Sequence, residues 1–545
     1  MLKCRFPREA LRNALPILLL VAFFACVFSY LLSTHMLAQK ADGLYSGGST
    51  WGDLAWHLSM ISNFAERGWV AVRENPIFPG TKLSYPFVPD LISAWLVRSG
   101  ISLQTSLILP ALLSVLGFVV ALYLLARSIG ANTFGSVSSI FLVLFNGSIV
   151  GILYLWSDYR KAGNLPLATI VLSKSYSYVP ERNLQFSNFI CDLLLPQRPA
   201  DFGFCIGTIA IMLLWVYWKD SSRKNLLYAG VLISCLPLIH FHTFVALAIV
   251  SGILIIIQLL AERTLWTETV SAWSWFLLPM LFIALPQLLW ILPDHPGHFL
   301  RPSLGWMKGN DSVWRFWFRN LSPHIFIFTL AFLYAQRNVK TFYLAFVGLL
   351  VVSNLVIFQP NEYDNLKLMF WWFVMSCILT GVFLDMLLRR LQPVGFLLSF
   401  VLVGTMIATG SIAVWRELHL SWRMFSLEDI ALAQFVKNHT SADALFLTSD
   451  KHNNPISCLA GRSIVMGYRG WLWTHGINYG PREHDVMEMF RGSERAFNLL
   501  RQYRVEYVLI ERDKTNEFYE NPEFFRNHFA IVYRSSDFTL VQVNQ

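Results

Sequence analysis

Trp51-Gly52-Asp53-Leu54-Ala55-Trp56-His57 is the stretch around which the chain is organised. It follows an apolar run at residues 15–32 that is long enough to span a bilayer. A polar segment directly after a span emerges on one face of the membrane. Asp53 and His57 are four residues apart. On a helix they share a face, which brings an acid and an imidazole into one space.

The rest of the chain reads outward from there. Of its 545 residues 55% are hydrophobic and 14% charged, where a soluble chain carries roughly 25% charged residues. Long apolar runs recur, so the chain is read as an α-helical polytopic membrane protein. Its 20 Trp suit a protein with two water–lipid interfaces to anchor. The net charge of +9 does not point to nucleic acid, because no basic run is long enough, and no nucleic-acid partner is expected. The seven Cys show no CxxC and no regular spacing, and read as small buried hydrophobes. The first apolar run lacks a small-residue cleavage site and is read as a retained helix rather than a removed signal peptide.

Lys3, Arg5, Arg8 and Arg12 precede that first span, which puts the N-terminus in the cytoplasm. The segment 34–104 is too polar to span and emerges outside. It holds Asp53 and His57, then Glu74-Asn75-Pro76 and Ser84-Tyr85-Pro86-Phe87-Val88-Pro89-Asp90. Its prolines favour a helix followed by a folded loop. Further spans are expected at 106–126, 134–156, 203–218, 226–240, 242–261, 273–292, 322–336, 341–358, 367–387 and 394–414, about eleven with the first. The inner loops hold Arg127; Lys219, Arg223 and Lys224; Arg263; Arg337 and Lys340; Arg389 and Arg390. The outer loop 157–202 also carries several basic residues, so the charge bias is not clean.

An odd number of spans places the C-terminus outside. Residues 1–414 are then a helical membrane domain that includes the outer loop 34–104, and 415–545 a soluble extracytoplasmic α/β domain. Residues 444–448, 463–466 and 507–510 read as buried strands, 485–503 as an amphipathic helix and 531–543 as a closing hairpin.

Four polar sets fall at outer ends of these spans: Asp53 with His57; Pro196-Gln197-Arg198; His240 with His242; and Asp364-Asn365 with Lys367. Ionisable groups near hydrocarbon cost several kcal/mol unless paired or hydrated. A hydrated outward cavity, or a charged ligand head group at membrane depth, accounts for their placement. Each set also has a plainer reading. Asp53 lies three residues after Thr50 and fits a capping box. Arg198 fits a lipid phosphate. His240 and His242 would diverge on a regular helix. Asp364 and Lys367 fit an ion pair at a helix start. In the C-terminal domain, His452-Asn453-Asn454-Pro455, Gly461-Arg462, Gly470-Trp471-Leu472-Trp473 and His475-Gly476 read either as a binding surface or as turn chemistry with aromatic packing.

The order of these features resembles a polytopic C-type (GT-C) glycosyltransferase. The likeness rests on a first span, an outer loop opening with Gly-Asp-x-x-x-His, many further spans and a C-terminal outer domain. It extends to Leu-Leu-Pro-Gln-Arg at 194–198, Leu-Pro-Leu-Ile-His-Phe-His-Thr at 236–243, Asp-Asn-x-Lys at 364–367 and the run from Ala460 to Gly476. The resemblance implies transfer of a sugar from a polyprenyl-phosphate carrier to a glycan, lipid or protein acceptor on the extracytoplasmic face of the plasma (inner) membrane. It implies membrane lipids as further partners, and maps the acidic residue of the first outer loop, base or metal contact, onto Asp53. It leaves a divalent cation, Mg²⁺ or Mn²⁺, open as a cofactor, since the sequence lacks the adjacent Asp-Glu pair that some families carry in that loop.

The chemistry agrees. Sugar transfer from a phosphate leaving group needs a carboxylate to take the acceptor proton, and cations or hydrogen-bond donors on the phosphate. Asp53 and His57 are the catalytic candidates, Asp53 as base. Arg198, His240, His242, Asp364 and Lys367 are the substrate-binding candidates. Two other readings use the same residues: a transporter or lipid flippase with an outward polar cavity, and a non-catalytic scaffold of the cell envelope. Transporters often carry internal repeats and helices broken at the midplane, and no repeat is apparent here.

Overall fold

The computed structural model describes residues 8–261, 266–292, 300–512, 518 and 520–543. Lys3, Arg5 and Arg263, which entered the orientation argument, lie outside them. The chain forms two compact units. One comprises Met1–Leu32, Ala111–Leu289 and Leu300–Leu420; the other comprises Ser33–Pro110, Trp290–Phe299 and Ser421–Gln545.

Among the described residues eight helices are long and apolar enough to cross a membrane, or nine if one bent pair is a single span. Eleven were expected, and the difference lies in three local stretches. The run 134–156 is two helices, Thr133–Leu144 and Ile149–Lys161, bent by 51°. Ser148 ends the break by accepting from Val150 N, and so caps the second helix. The runs 226–240 and 322–336 become Arg223–Ser234 and His324–Tyr334, of 12 and 11 residues, short of the ~20 a span requires. Eight is even and nine is odd, so the count carries no orientation.

The first unit is built on the helix Leu366–Arg390, which is buried along most of its length. Small residues let a neighbour approach its backbone. A Cβ on Gly381 would lie 2.2 Å from Gly135 O, on the helix Thr133–Leu144. Asp385 also accepts from the Gly135 backbone N–H at 3.0 Å. One polar side chain thereby satisfies a helix-start donor inside an apolar bundle.

The second unit contains two sheets. A three-stranded antiparallel sheet joins Ala38–Lys40, Gly43–Ser46 and Trp422–Ser426. A five-stranded mixed sheet runs in the order Ser463–Ile464, Leu445–Leu447, Tyr507–Glu511, Phe538–Gln542 and Ala530–Arg534. Its first three strands are parallel and its last three antiparallel. The expected single helix over 485–503 is two, Gly480–Arg491 and Glu494–Tyr503. Gly492 at φ +70° ends the first in the left-handed conformation that glycine tolerates best.

The helix Asp53–Arg67 runs through this second unit with every residue from Leu54 to Phe64 buried. A helix buried on all sides in this way is a core element. Its polar side chains lock it to distant sequence. Ser59 Oγ donates to Ser457 Oγ at 3.1 Å, Ser62 Oγ to Cys458 O at 2.7 Å and Asn63 Nδ2 to Gly461 O at 3.0 Å. Gly461 has φ +69°, and a Cβ there would lie 2.5 Å from Ser62 O. The buried Arg462 guanidinium pairs with Glu66 at 3.1 Å and donates to the Lys437 and Thr440 carbonyls. Gly461 thus holds the helix in place by close approach and Arg462 by its ion pair and hydrogen bonds.

Candidate active site

The second unit gathers one cluster around the start of the helix Asp53–Arg67. The helix is capped at Gly52 without a side-chain hydrogen bond, and Asp53 lies in its first turn. Thr50 turns its hydroxyl to His35 O and Gly47 O instead. The half-buried Asp53 carboxylate sits where the positive end of the helix dipole favours a negative charge.

One turn further, His57 is wholly buried and its Nδ1 lies 2.8 Å from Asp90 Oδ2, also wholly buried. A carboxylate accepts, so Nδ1–H donates, and the ring is held in one orientation. Asp90 belongs to the first turn of the helix Val88–Arg98. Sequence reasoning quoted Asp90 but gave it no role. The one available signal was an acid directly after Val88-Pro89, a helix start.

Aromatic rings surround this turn. Trp56 packs against Tyr85, Trp471 and His475, with ring centroids at 5.4, 5.8 and 4.8 Å. Tyr85 lies 6.2 Å from the His57 ring and 5.0 Å from His475. Trp51 meets His452 at 5.3 Å, and His452 meets Trp471 at 6.4 Å. Trp56 Nε1 and His452 Nε2 are buried without a hydrogen-bond partner among the described residues. Such orphaned polar atoms are where water or a ligand group is accommodated. Burial holds the His452 imidazole below its usual range. The loop residues of 452–476 and the Asp53 stretch, remote in sequence, are thus in contact.

The first unit gathers the other candidates. Lys367 Nζ pairs with Asp364 Oδ1 at 3.0 Å and donates to Gln197 Oε1 at 3.1 Å. Asn365 is structural: its amide binds the Ser353 and Val356 carbonyls and its oxygen accepts from Phe358 N. This fixes the turn that presents Asp364 and Lys367. Arg198, next to Gln197, is buried as the first residue of the helix Arg198–Asp220.

His240 Nδ1 bonds Thr243 Oγ1 at 2.8 Å, and His242 Nε2 bonds Gln359 Oε1. The two rings approach to 5.4 Å. They were expected to diverge as neighbours on a helix, but His240 precedes the helix Phe241–Ala261, so its ring is free of helical geometry. Gly203 makes room for it: a Cβ there would fall 2.3 Å from His240 Nδ1. His240 Nε2 is buried with no partner among the described residues.

The connection before Arg198 contains a further acid. Asp192 lies in a π-helical turn, Ile190–Leu194, a conformation often retained at functional sites. It accepts from Asn188 N at 3.1 Å. Burial, reinforced by the nearby Glu417 carboxylate, raises its pKa to about 7.

A divalent cation has little to hold it. Among the described residues no group of three or more His, Cys, Asp or Glu side chains is placed to bind a metal ion. His57 and Asp90, in the same unit as Asp53, are bonded to each other. No step below is routed through a metal.

No family model matches the chain, and no curated protein matches it. Its fold, however, recurs in solved structures. The Archaeoglobus fulgidus oligosaccharyltransferase in its apo form aligns with a TM-score of 0.53 at 9% identity, over 91% of this chain and 69% of that one. The archaeal oligosaccharyltransferase AglB in complex with an inhibitory peptide and a dolichol-phosphate aligns at 0.52 and 9%, again over 91% and 69%. The arabinofuranosyltransferase AftD from Mycobacteria aligns at 0.58 and 12%, over 96% of this chain and 40% of that one. The chain is a membrane protein with a GT-C-like fold.

Proposed function

We propose that this chain is an integral membrane glycosyltransferase that moves a sugar from a polyprenyl-phosphate donor to a glycan, lipid or protein acceptor on the extracytoplasmic face of the plasma (inner) membrane. The N-terminus is assigned to the cytoplasm and residues 415–545 to the outside. The observation that carries the reading is Asp53 in the first turn of a helix, one turn from the His57–Asp90 pair and among aromatic rings, in a GT-C-like fold. Aromatic faces with interspersed donors suit sugar rings, which present apolar faces and hydroxyl edges.

In the reaction, the Asp53 carboxylate takes the proton from the acceptor hydroxyl as its oxygen attacks the sugar C1. The bond from C1 to the phosphate oxygen breaks, and its electron pair leaves with polyprenyl phosphate. His57, oriented by Asp90, is assigned as the orienter of Asp53 or as an acceptor contact. Lys367 and Arg198 are assigned to the donor phosphate, where charge develops. An ammonium has three donors, and Asp364 and Gln197 engage two of those on Lys367, which leaves one for a phosphate oxygen. His242 and His240 are assigned to the same phosphate cluster. That AglB was solved with dolichol-phosphate supports a lipid-phosphate donor by analogy of fold.

The test is sugar transfer by purified protein from a panel of polyprenyl-phosphate sugars, with Asp53→Asn alongside. Turnover of one donor by the wild type, lost in the folded variant, supports the assignment. Full activity in Asp53→Asn removes Asp53 as the base, and failure to bind any carrier lipid removes the transferase.

A further inference from the structure

Arg182, one of the basic residues of 157–202 that broke the orientation pattern in the sequence, lines an open groove of ≈ 470 Å³ in the first unit. It is lined by Tyr154 on the helix Ile149–Lys161, by the turn Pro180–Arg182 with Asn183, and by Asn310, Asp311 and Arg319. The walls are held before any ligand arrives. Asn183, in the left-handed conformation at φ +56°, donates through Nδ2 to Lys308 O and to Asp311 Oδ2, both at 2.8 Å. Asn320 Nδ2 donates to Asn183 O at 3.0 Å. The Arg182 guanidinium lies 4.9 Å over the Tyr154 ring, and Tyr154 OH donates to Arg182 O.

The electrostatics select the ligand class. Both cations that line the groove, Arg182 and Arg319, already have a carboxylate. Asp158 is shared by Arg182 and Lys174, and Asp311 by Arg319 and Arg315. A free anion would have to displace one of these acids, whereas an uncharged ligand would not. What the walls offer is an alternation of fixed donors and acceptors: guanidinium, carboxylate, two amides and a phenol. That set is complementary to vicinal hydroxyls, each both donor and acceptor. Charged groups of this density do not lie in hydrocarbon, so the groove opens to water. Its volume falls within the ~300–1,000 Å³ of small-ligand sites.

We propose that this groove is a carbohydrate-binding site for a neutral oligosaccharide. None of its residues is among those assigned to transfer. Because the walls are ordered by their own hydrogen bonds, little conformational freedom is lost on binding.

The experiment is calorimetry on the full chain in lipid nanodiscs. Neutral tetrasaccharides of glucose, xylose and arabinose are titrated, with tetragalacturonate and inorganic phosphate as charged probes. Asn310 is exposed, and Asn310→Trp fills the groove without breaking a pair. The expected result is binding of at least one neutral tetrasaccharide, weakened about tenfold or more by Asn310→Trp at an unchanged unfolding temperature. If that variant does not fold, Glu181→Trp, whose parent side chain is 61% exposed, fills the same groove. Preference for tetragalacturonate or phosphate, binding of no neutral probe, or neutral binding that survives in the folded variant overturns the proposal. The readout is binding, so it stands or falls apart from the transfer reaction.

Discussion

His57 Nδ1 and Asp90 Oδ2, 33 residues apart in sequence, meet at 2.8 Å with both side chains buried. The contact ties the helix that carries Asp53 to the next helix of its unit. It leaves the imidazole a single orientation. Asp90 is therefore a positioning residue for the candidate site.

Asp90→Ala is expected to leave His57 Nδ1 buried and unsatisfied, at ~1–3 kcal/mol of stability. It should also lower kcat by about 100-fold through misplacement of the His57 ring, with donor KM little changed. Asp90→Asn keeps an acceptor oxygen and should restore most of the stability. Thermal unfolding together with steady-state transfer kinetics reads both effects. Equal kcat in Asp90→Ala and the wild type would reduce the pair to a structural contact.

Asp53→Asn is expected to lower kcat by ~10²–10⁴-fold, the usual contribution of a general base. Asp53 is half-buried in the first helical turn, so the unfolding temperature should move little. Single-turnover transfer in variant and wild type measures the drop.

Lys367→Gln removes a charged donor from the cluster with Gln197 and Asp364. Loss of one charge-assisted hydrogen bond to phosphate, ~1.5–3 kcal/mol, should weaken donor binding by about 10- to 150-fold. Asp364→Asn lifts the neutralisation of Lys367 and should leave donor affinity equal or tighter. Titration of a polyprenyl-phosphate sugar into both variants decides it, and a shared loss of affinity would give Asp364 a positioning role instead.

Gly203→Ala places a Cβ 2.3 Å from His240 Nδ1. Helix and imidazole cannot both stay, so the bond from His240 to Thr243 should break at an overpacking cost of ~1–3 kcal/mol. The unfolding temperature should fall, and His240→Ala in the same background should recover part of it.

Asp192 has a folded pKa of about 7 against an ordinary value of 3.8, raised by burial and by Glu417. Between those values the folded state binds more protons than the unfolded state, so stability falls as pH rises through that window and levels off above it. Asp192→Asn is expected to flatten the slope between pH 5 and 7 and to raise the unfolding temperature at pH 8. Scanning calorimetry from pH 4 to 8 checks the sign, and a rise in wild-type stability over that window would overturn it.

Several parts of the site were legible in the sequence. Asp53 and His57 share a helical face because four-residue spacing fixes that geometry locally. Lys367 lies close to Asp364 for the same reason. His240 and His242 were expected to diverge, because helical spacing was applied to a pair split by a helix start. The apolar runs at 134–156, 226–240 and 322–336 satisfy a hydropathy window without forming one long helix.

Apolar content and run length alone settled that this is a polytopic helical membrane protein, since a bilayer imposes a minimum length and a composition that no soluble fold shares. Residue type and short spacing also settled which polar groups were candidates. Only the tertiary structure decided their partners. That Asp90 holds His57, that Arg462 pins the helix of Asp53 from about 400 positions away, and that Gly203 yields to His240 are contacts between segments distant in the chain. Local periodicity carries no record of such pairings, because burial and hydrogen-bond satisfaction are settled by the whole packed unit at once.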